Sequence, residues 1–125
     1  MNLVNLTSET INLIPEGLNG PIITIPPSGQ VARSSTTYQE AKSKRKVINM
    51  IEVDGTQIPV LKPYMEIEGI PDPVENTIYI VHAMVTLRIN RSDVVSVYEP
   101  IKNLKGEIIG YKSLGCGPSV EDLKV

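Results

Sequence analysis

The feature that most constrains this chain is its punctuation. Turn-forming residues recur at Pro15 to Pro21, Pro26-Pro27-Ser28-Gly29, Asp54-Gly55, Gly69-Ile70-Pro71-Asp72-Pro73, Asn103-Leu104-Lys105-Gly106 and Gly117-Pro118. Each of these fixes or frees backbone angles in a way that ends a regular element. What lies between them is short and rich in Ile and Val. Leu3, Leu6, Ile11, Leu13 and Ile14 stand among Asn, Thr and Glu in near-alternation, the pattern of half-buried strands, and predict that a first hairpin or meander begins here. Ile22 to Ile25 is closed by paired prolines, which donate no ladder hydrogen bond and mark an edge or a loop. Short strands separated by turns predict an all-β fold: a small sandwich or open barrel of short antiparallel strands, with one short helical turn near Ser119.

The sharpest local signal is a hairpin. Val47 to Val53 is β-branched and apolar, Asp54-Gly55 suits the positive φ of a tight turn, and Thr56 to Leu61 resumes the strand character. Upstream, Gln30 to Tyr38 reads as an extended segment containing the hydroxyl run Ser34-Ser35-Thr36-Thr37, and Lys42, Lys44, Arg45 and Lys46 read as a solvated loop or strand end. Thr77 to Leu87 is the most apolar stretch and predicts a central strand throughout, buried on both faces. Val94 to Val97 and Glu107 to Leu114 continue the strand pattern. A chain of 125 residues supports one core, so a single β domain over residues 1–125 is expected, with a loose C-terminal tail from about residue 115.

Composition narrows function by exclusion. With 41% hydrophobic residues the chain is too apolar for disorder. Fourteen acidic against twelve basic residues give a net charge of −2, a field that attracts neither nucleic acid in bulk nor an anionic membrane, so any phosphate recognition must be local. One cysteine, Cys116, and one histidine, His82, form neither an intrachain disulfide nor a zinc ligand set, and no metal or cofactor is expected. No apolar run approaches the roughly 20 residues of a membrane-spanning helix. Met1 to Thr10 lacks a secretory pattern, and a cytoplasmic protein is expected.

No catalytic residue can be assigned. His82 falls inside the most apolar run and reads as a core or interface histidine. Cys116 reads as a plain thiol, and Asp93 with Glu99 are carboxylates whose separation the sequence does not fix. What remains is a set of anion-recognition groups in polar segments: Arg33 beside Ser34 and Ser35, and Arg88 and Arg91 around Asn90. Guanidinium forks bind phosphate, hydroxyls and amides add neutral hydrogen bonds, and Tyr38, Tyr98 or Tyr111 could stack on a base. The competing reading pairs Arg88 and Arg91 with Asp93 or Glu99 at the surface.

Several short motifs point further. Asn5-Leu6-Thr7-Ser8-Glu9-Thr10-Ile11-Asn12, Pro27-Ser28-Gly29-Gln30-Val31-Ala32-Arg33, Tyr79-Ile80-Val81, Arg91-Ser92-Asp93-Val94-Val95 and Gly106-Glu107-Ile108-Ile109-Gly110 resemble a group of small proteins encoded by phages, prophages and bacterial accessory DNA. Here Ser8-Glu9, His82 and Tyr111 stand where members of that group often have Pro-His, Ser and Cys. The resemblance implies no catalytic residue. It raises the expectation of a non-catalytic accessory protein in the bacterial host cytoplasm. By analogy with anti-Thoeris and anti-CBASS sponges, such a protein would sequester a nucleotide-derived signalling molecule, with the arginines and tyrosines above as contacts. A homo-oligomer is expected, because a small chain gains a deep pocket most readily where protomers meet. The alternatives are a structural or assembly component of a phage particle and a protein-binding inhibitor of a host enzyme.

Overall fold

The computed structural model describes residues 1–121, and its regular elements are mostly strands. In chain order these are β1 (Asn2–Asn5), β2 (Ile11–Leu13), β3 (Ile23–Ile25), β4 (Arg33–Ser34), β5 (Lys46–Val53), β6 (Thr56–Lys62), β7 (Ile67–Glu68), β8 (Thr77–Ile80), β9 (Val94–Lys102) and β10 (Ile108–Cys116), with two short helices, α1 (Tyr38–Ser43) and α2 (Ala83–Thr86). The fold is all-β, as the sequence predicts. The chain divides into two compact units where one domain was expected: one from residues 1–33 and 69 onward, the other from residues 34–68.

The first unit carries a six-stranded sheet in the order β1-β8-β9-β10-β2-β3. Strand directions are mixed, where short antiparallel strands were expected. β1 runs parallel to β8, β8 to β9, and β10 to β2, while β9–β10 and β2–β3 are antiparallel. The expected opening meander is therefore not formed, since β1 and β2 are not neighbours. β8 lies between β1 and β9, and its residues Thr77, Tyr79 and Ile80 are buried with Ile78 half-buried, as a central strand with both faces covered should be.

The sheet curls until its two edge strands meet at a buried asparagine. Asn5, at the end of β1, donates its side-chain amide to the carbonyl oxygen of Ile25 at the end of β3 (3.0 Å) and to that of Glu9 (2.7 Å). Its own backbone carbonyl accepts from Ser28 N–H at 3.0 Å. The result is a nearly closed barrel. Its core is Ile11, Leu13, Ile25, Ile80 and Val95, flanked by partly buried Leu3, Ile78, Val97, Tyr111 and Leu114. Gly110 allows a close approach where β10 runs beside β2: a Cβ there would lie 2.9 Å from Ile14 Cδ1 and 3.0 Å from the Asn12 carbonyl oxygen.

The most apolar segment departs from expectation. The strand stops at Ile80, and the chain turns through His82 into the single-turn helix α2, where Thr86 Oγ1 donates to the Ala83 carbonyl oxygen at 2.6 Å. Downstream, Gly115 and Cys116 belong to β10, opposite Ser96 and Val95, so the tail expected from residue 115 begins as paired strand. Pro118 and Ser119 form a turn, with Val120 N–H donating to Gly117 at 3.1 Å. Residues 122–125 of the expected tail lie outside the described residues.

The second unit is α1 followed by the predicted hairpin. Thr37 caps α1 by a capping box: its hydroxyl accepts from Glu40 N–H at 3.1 Å while the Glu40 carboxylate accepts from Thr37. Those hydrogen bonds, with Lys44 beyond them, lower the Glu40 pKa from its ordinary value. The segment expected to be extended to Tyr38 thus ends in a helix, and Lys42 lies within it. β5 and β6 pair from Lys46 opposite Lys62 to Val53 opposite Thr56, with a register shift between Val47 and Asn49. Asp54 (φ 50°) and Gly55 (φ 79°) supply the two left-handed residues of the turn. β4 and β7 form a separate two-stranded pair. Among the described residues no helix is long and apolar enough to cross a membrane.

Candidate functional site

The parallel pairing of β1 and β8 has a local consequence: both strands end on the same side of the first unit, and the loops that leave them lie side by side. The loop after β1 carries Thr7, Glu9 and Thr10; the segment after β8 carries Val81, His82 and Ala83. These residues, with Ile11, Ile80, Val97 and Tyr111, line a cavity of about 250 Å³. Its floor is apolar, from Ile11, Ile80, Val81 and Val97. Its rim is polar, from Glu9, Thr10, His82 and the Tyr111 ring. A second groove of about 280 Å³ shares Glu9, Thr10 and Tyr111 and extends along Asn12 and Ile108 to Gly110.

The Glu9 loop is held rigidly from below. Asn5 Oδ1 accepts from Thr7 N–H at 2.9 Å and from the Thr7 hydroxyl at 2.7 Å, and Asn5 Nδ2 reaches the Glu9 carbonyl oxygen. The same asparagine therefore closes the barrel and shapes the cavity rim, and both Asn5 and Thr7 are buried. On the far side, the Thr24 hydroxyl donates to Asn12 Oδ1 at 2.9 Å. Glu9 and His82 both line the cavity. Both residues are solvent-exposed.

The residues picked out by sequence disperse. Tyr111 alone among them lines the cavity. Arg33 and Ser34 lie in β4, and Ser35 bonds Glu66 through its backbone N–H (2.9 Å). Tyr38 opens α1 with its ring largely in solvent. Arg88 and Asn90 are exposed beyond α2, and Tyr98 lies on β9 against Gly115. Arg91 is committed elsewhere: Nε and Nη2 donate to the two Asp93 carboxylate oxygens at 2.9 and 2.7 Å, Nη1 donates to the Pro71 carbonyl oxygen at 3.0 Å, and the guanidinium lies 6.0 Å from the Tyr79 ring centre. Hydrogen bonding to Arg91 lowers the Asp93 pKa, and the same bonds raise that of Arg91. The surface ion pair weighed against phosphate binding is present at this arginine.

His82 reads in sequence as a core or interface histidine, and the structure corrects the core alternative. It is exposed because the chain leaves the sheet two residues earlier and the ring sits at the helix start, where it makes no capping bond. Sequence reasoning also missed Glu9 and Thr10. Their signal is positional, the polar residues that follow an apolar strand, and it becomes informative only once β1 and β8 are known to be parallel. Asp93 and Glu99 do not act together, since Asp93 faces Arg91 and Glu99 accepts from the Ser113 hydroxyl at 2.7 Å. Cys116 is a free, exposed thiol. Among the described residues, no three His, Cys, Asp or Glu side chains converge as a metal ion would require.

Chemically, the cavity offers an aromatic face, one carboxylate acceptor, one imidazole and the hydroxyl-bearing residues Thr7, Thr10 and Tyr111 around an apolar floor. That combination suits the capture of a small ring with polar edges. Compared with family models, curated proteins and solved structures, the chain matches none.

Proposed function

We propose that this protein works by holding a small ring-bearing molecule in the cavity at the ends of β1 and β8, without transforming it. The observation that carries this reading is the convergence of Glu9, Thr10, His82 and Tyr111 on one apolar-floored cavity. Apolar floors supply affinity by surface burial, and a few placed polar groups supply orientation. Three positions at which the chain departs from the phage-type group it resembles, Glu9, His82 and Tyr111, all lie on that rim.

On this reading the sequestered molecule is nucleotide-derived only in its ring-bearing part. Tyr111 supports stacking of a base, and Glu9 and His82 support hydrogen bonds to its edge. Among the described residues no arginine or lysine lines the cavity, and a carboxylate at the rim repels phosphate. The ligand class favoured is therefore a nucleoside-like or other neutral to cationic ring, with any phosphates outside the cavity.

The test is mass spectrometry of small molecules released by denaturing purified protein that has been exposed to bacterial lysate, followed by thermal-shift measurement with the released compound. A bound ring compound should raise the melting temperature by mass action. Tyr111→Ala should abolish that rise, and Arg33→Ala and Arg88→Ala should leave it intact. Release of nothing, or conversion of the compound into a new product by wild-type protein, contradicts the proposal. The assembly-component alternative draws on a different feature, the exposed hairpin, and requires the protein to be found in purified particles.

A further inference from the structure

We propose that the second unit carries a binding site for a short phosphate chain where α1 leads into β5, built from Lys42, Arg45, Lys46 and Lys62. The site lies wholly within that unit and does not rest on the cavity reading. Residues 34–68 hold five basic and five acidic side chains, so the unit has no net charge. Its basic residues are nevertheless gathered together. Four of the five fall between residues 42 and 46, and the fifth, Lys62, lies directly opposite Lys46 at the base of the hairpin.

The helix sorts these cations by face. Lys44 follows Glu40 by four residues; its Nζ lies 3.5 Å from the Glu40 carboxylate and 5.0 Å from the Tyr64 ring centre. Glu40, the sole acid of α1, is fixed by its capping box with Thr37, so Lys44 is matched where it stands. Gln39, Lys42 and Ser43, at spacing i, i+3 and i+4, share a different face. With Arg45 they line an open groove of about 440 Å³, and among the described residues no acid lines it. Lys42, Arg45, Lys46 and Lys62 are exposed and have no ion-pair partner among the described residues.

The chemistry of this lining selects an anion. A guanidinium fork, an ammonium group, an amide and a hydroxyl all donate hydrogen bonds, and none of them carries negative charge; phosphate oxygens accept from every one. The dipole of α1 accounts for a cation in its last turn, Lys42. It does not account for Arg45, nor for the ladder pair one residue further on. Like charges directly across a ladder destabilise it, and Lys46 opposite Lys62 is such a pair. An anion shared by the two lysines turns that repulsion into attraction. Two successive pairs of cations, Lys42 with Arg45 and Lys46 with Lys62, match more than one phosphate group. A unit without net charge offers no long basic track for a nucleic-acid strand, so the ligand class is a short phosphate chain such as that of a nucleoside di- or triphosphate.

The experiment is calorimetric titration of the full chain with inorganic tripolyphosphate at physiological salt. Wild type should bind in the micromolar range. Arg45→Gln should weaken binding about tenfold, and Lys62→Gln by a smaller factor. Arg45→Lys keeps the charge and should recover most of the affinity, which shows that a loss in Arg45→Gln is not a loss of fold. Lys44→Gln removes the same unit of charge from the matched position and should change affinity by less than about twofold. No binding by wild type, equal losses in Lys44→Gln and Arg45→Gln, or tighter binding of a single-stranded oligonucleotide than of tripolyphosphate would each overturn the proposal. Tyr111→Ala should bind tripolyphosphate as wild type does, which separates this result from any failure of the cavity reading.

Discussion

The two units of this protein use the same kinds of residue to opposite ends. In the first, Ile and Val on six strands meet inside a nearly closed sheet, and Leu6, Ile80, Val81 and Val94 are each at most 1% exposed. In the second, Ile and Val on two strands are left in solvent, and no residue from 34 to 68 is buried. Local propensity does not separate them, since both are β-branched runs bounded by turns. The difference is topological: a sheet that curls on itself supplies its own second layer, and a lone hairpin does not. The first unit can therefore present a shaped cavity at its strand ends, whereas the second has no buried residue around which to build one.

That contrast can be attacked from either side. The largest effect should come from Ile80→Ala, which empties a fully buried site at the centre of the first unit and should cost about 2–5 kcal/mol in urea denaturation. Next is Asn5→Ala. It removes the side chain that bonds Ile25, Glu9 and Thr7 and leaves buried backbone groups without partners, at a cost on the order of 3 kcal/mol. The same variant should also weaken ligand retention, because Glu9 loses its support. A loss of binding without a loss of stability would show that the barrel closes by other means.

A smaller effect is expected at Asp93, which is only partly exposed in its pair with Arg91. Its pKa is lowered on folding, chiefly by hydrogen bonds from Arg91. The stabilisation is therefore complete above the unfolded carboxyl value near ~4 and is lost as the pH falls through the lower folded value. Asp93→Asn should cost about 1 kcal/mol at neutral pH and flatten the acid limb of a stability–pH curve. The smallest effect should be Ile51→Ala in dilute protein, within about 0.5 kcal/mol, although Ile51 is as apolar as Ile80. A cost of several kcal/mol there would mean that the hairpin has a core of its own.

What could be read from sequence divides along physical lines. The hairpin was legible because Asp54-Gly55 encodes its turn within two residues. The buried character of Thr77–Ile80 was legible because an apolar β-branched run can satisfy its backbone only inside a sheet. The partner of each strand was not legible, since parallel pairing joins residues as distant as Val4 and Tyr79 and leaves no local mark. The cavity depends on that pairing, so Glu9 and Thr10 went unseen and His82 was read as a core or interface histidine. By contrast, the α1 signal was present in Thr37-x-x-Glu40, a capping box hidden inside a hydroxyl run. Arg91 had two plausible uses in sequence, and its own near neighbour Asp93 decided between them.

Hydrogen exchange along the whole chain, measured at low and at high protein concentration, tests the contrast most directly. The account expects amides of β8 and β9 to be strongly protected at both concentrations, and amides from 47 to 60 to exchange much faster. Hairpin amides protected as strongly as those of β8 and β9, or β8 and β9 exchanging as fast as the hairpin, would contradict it.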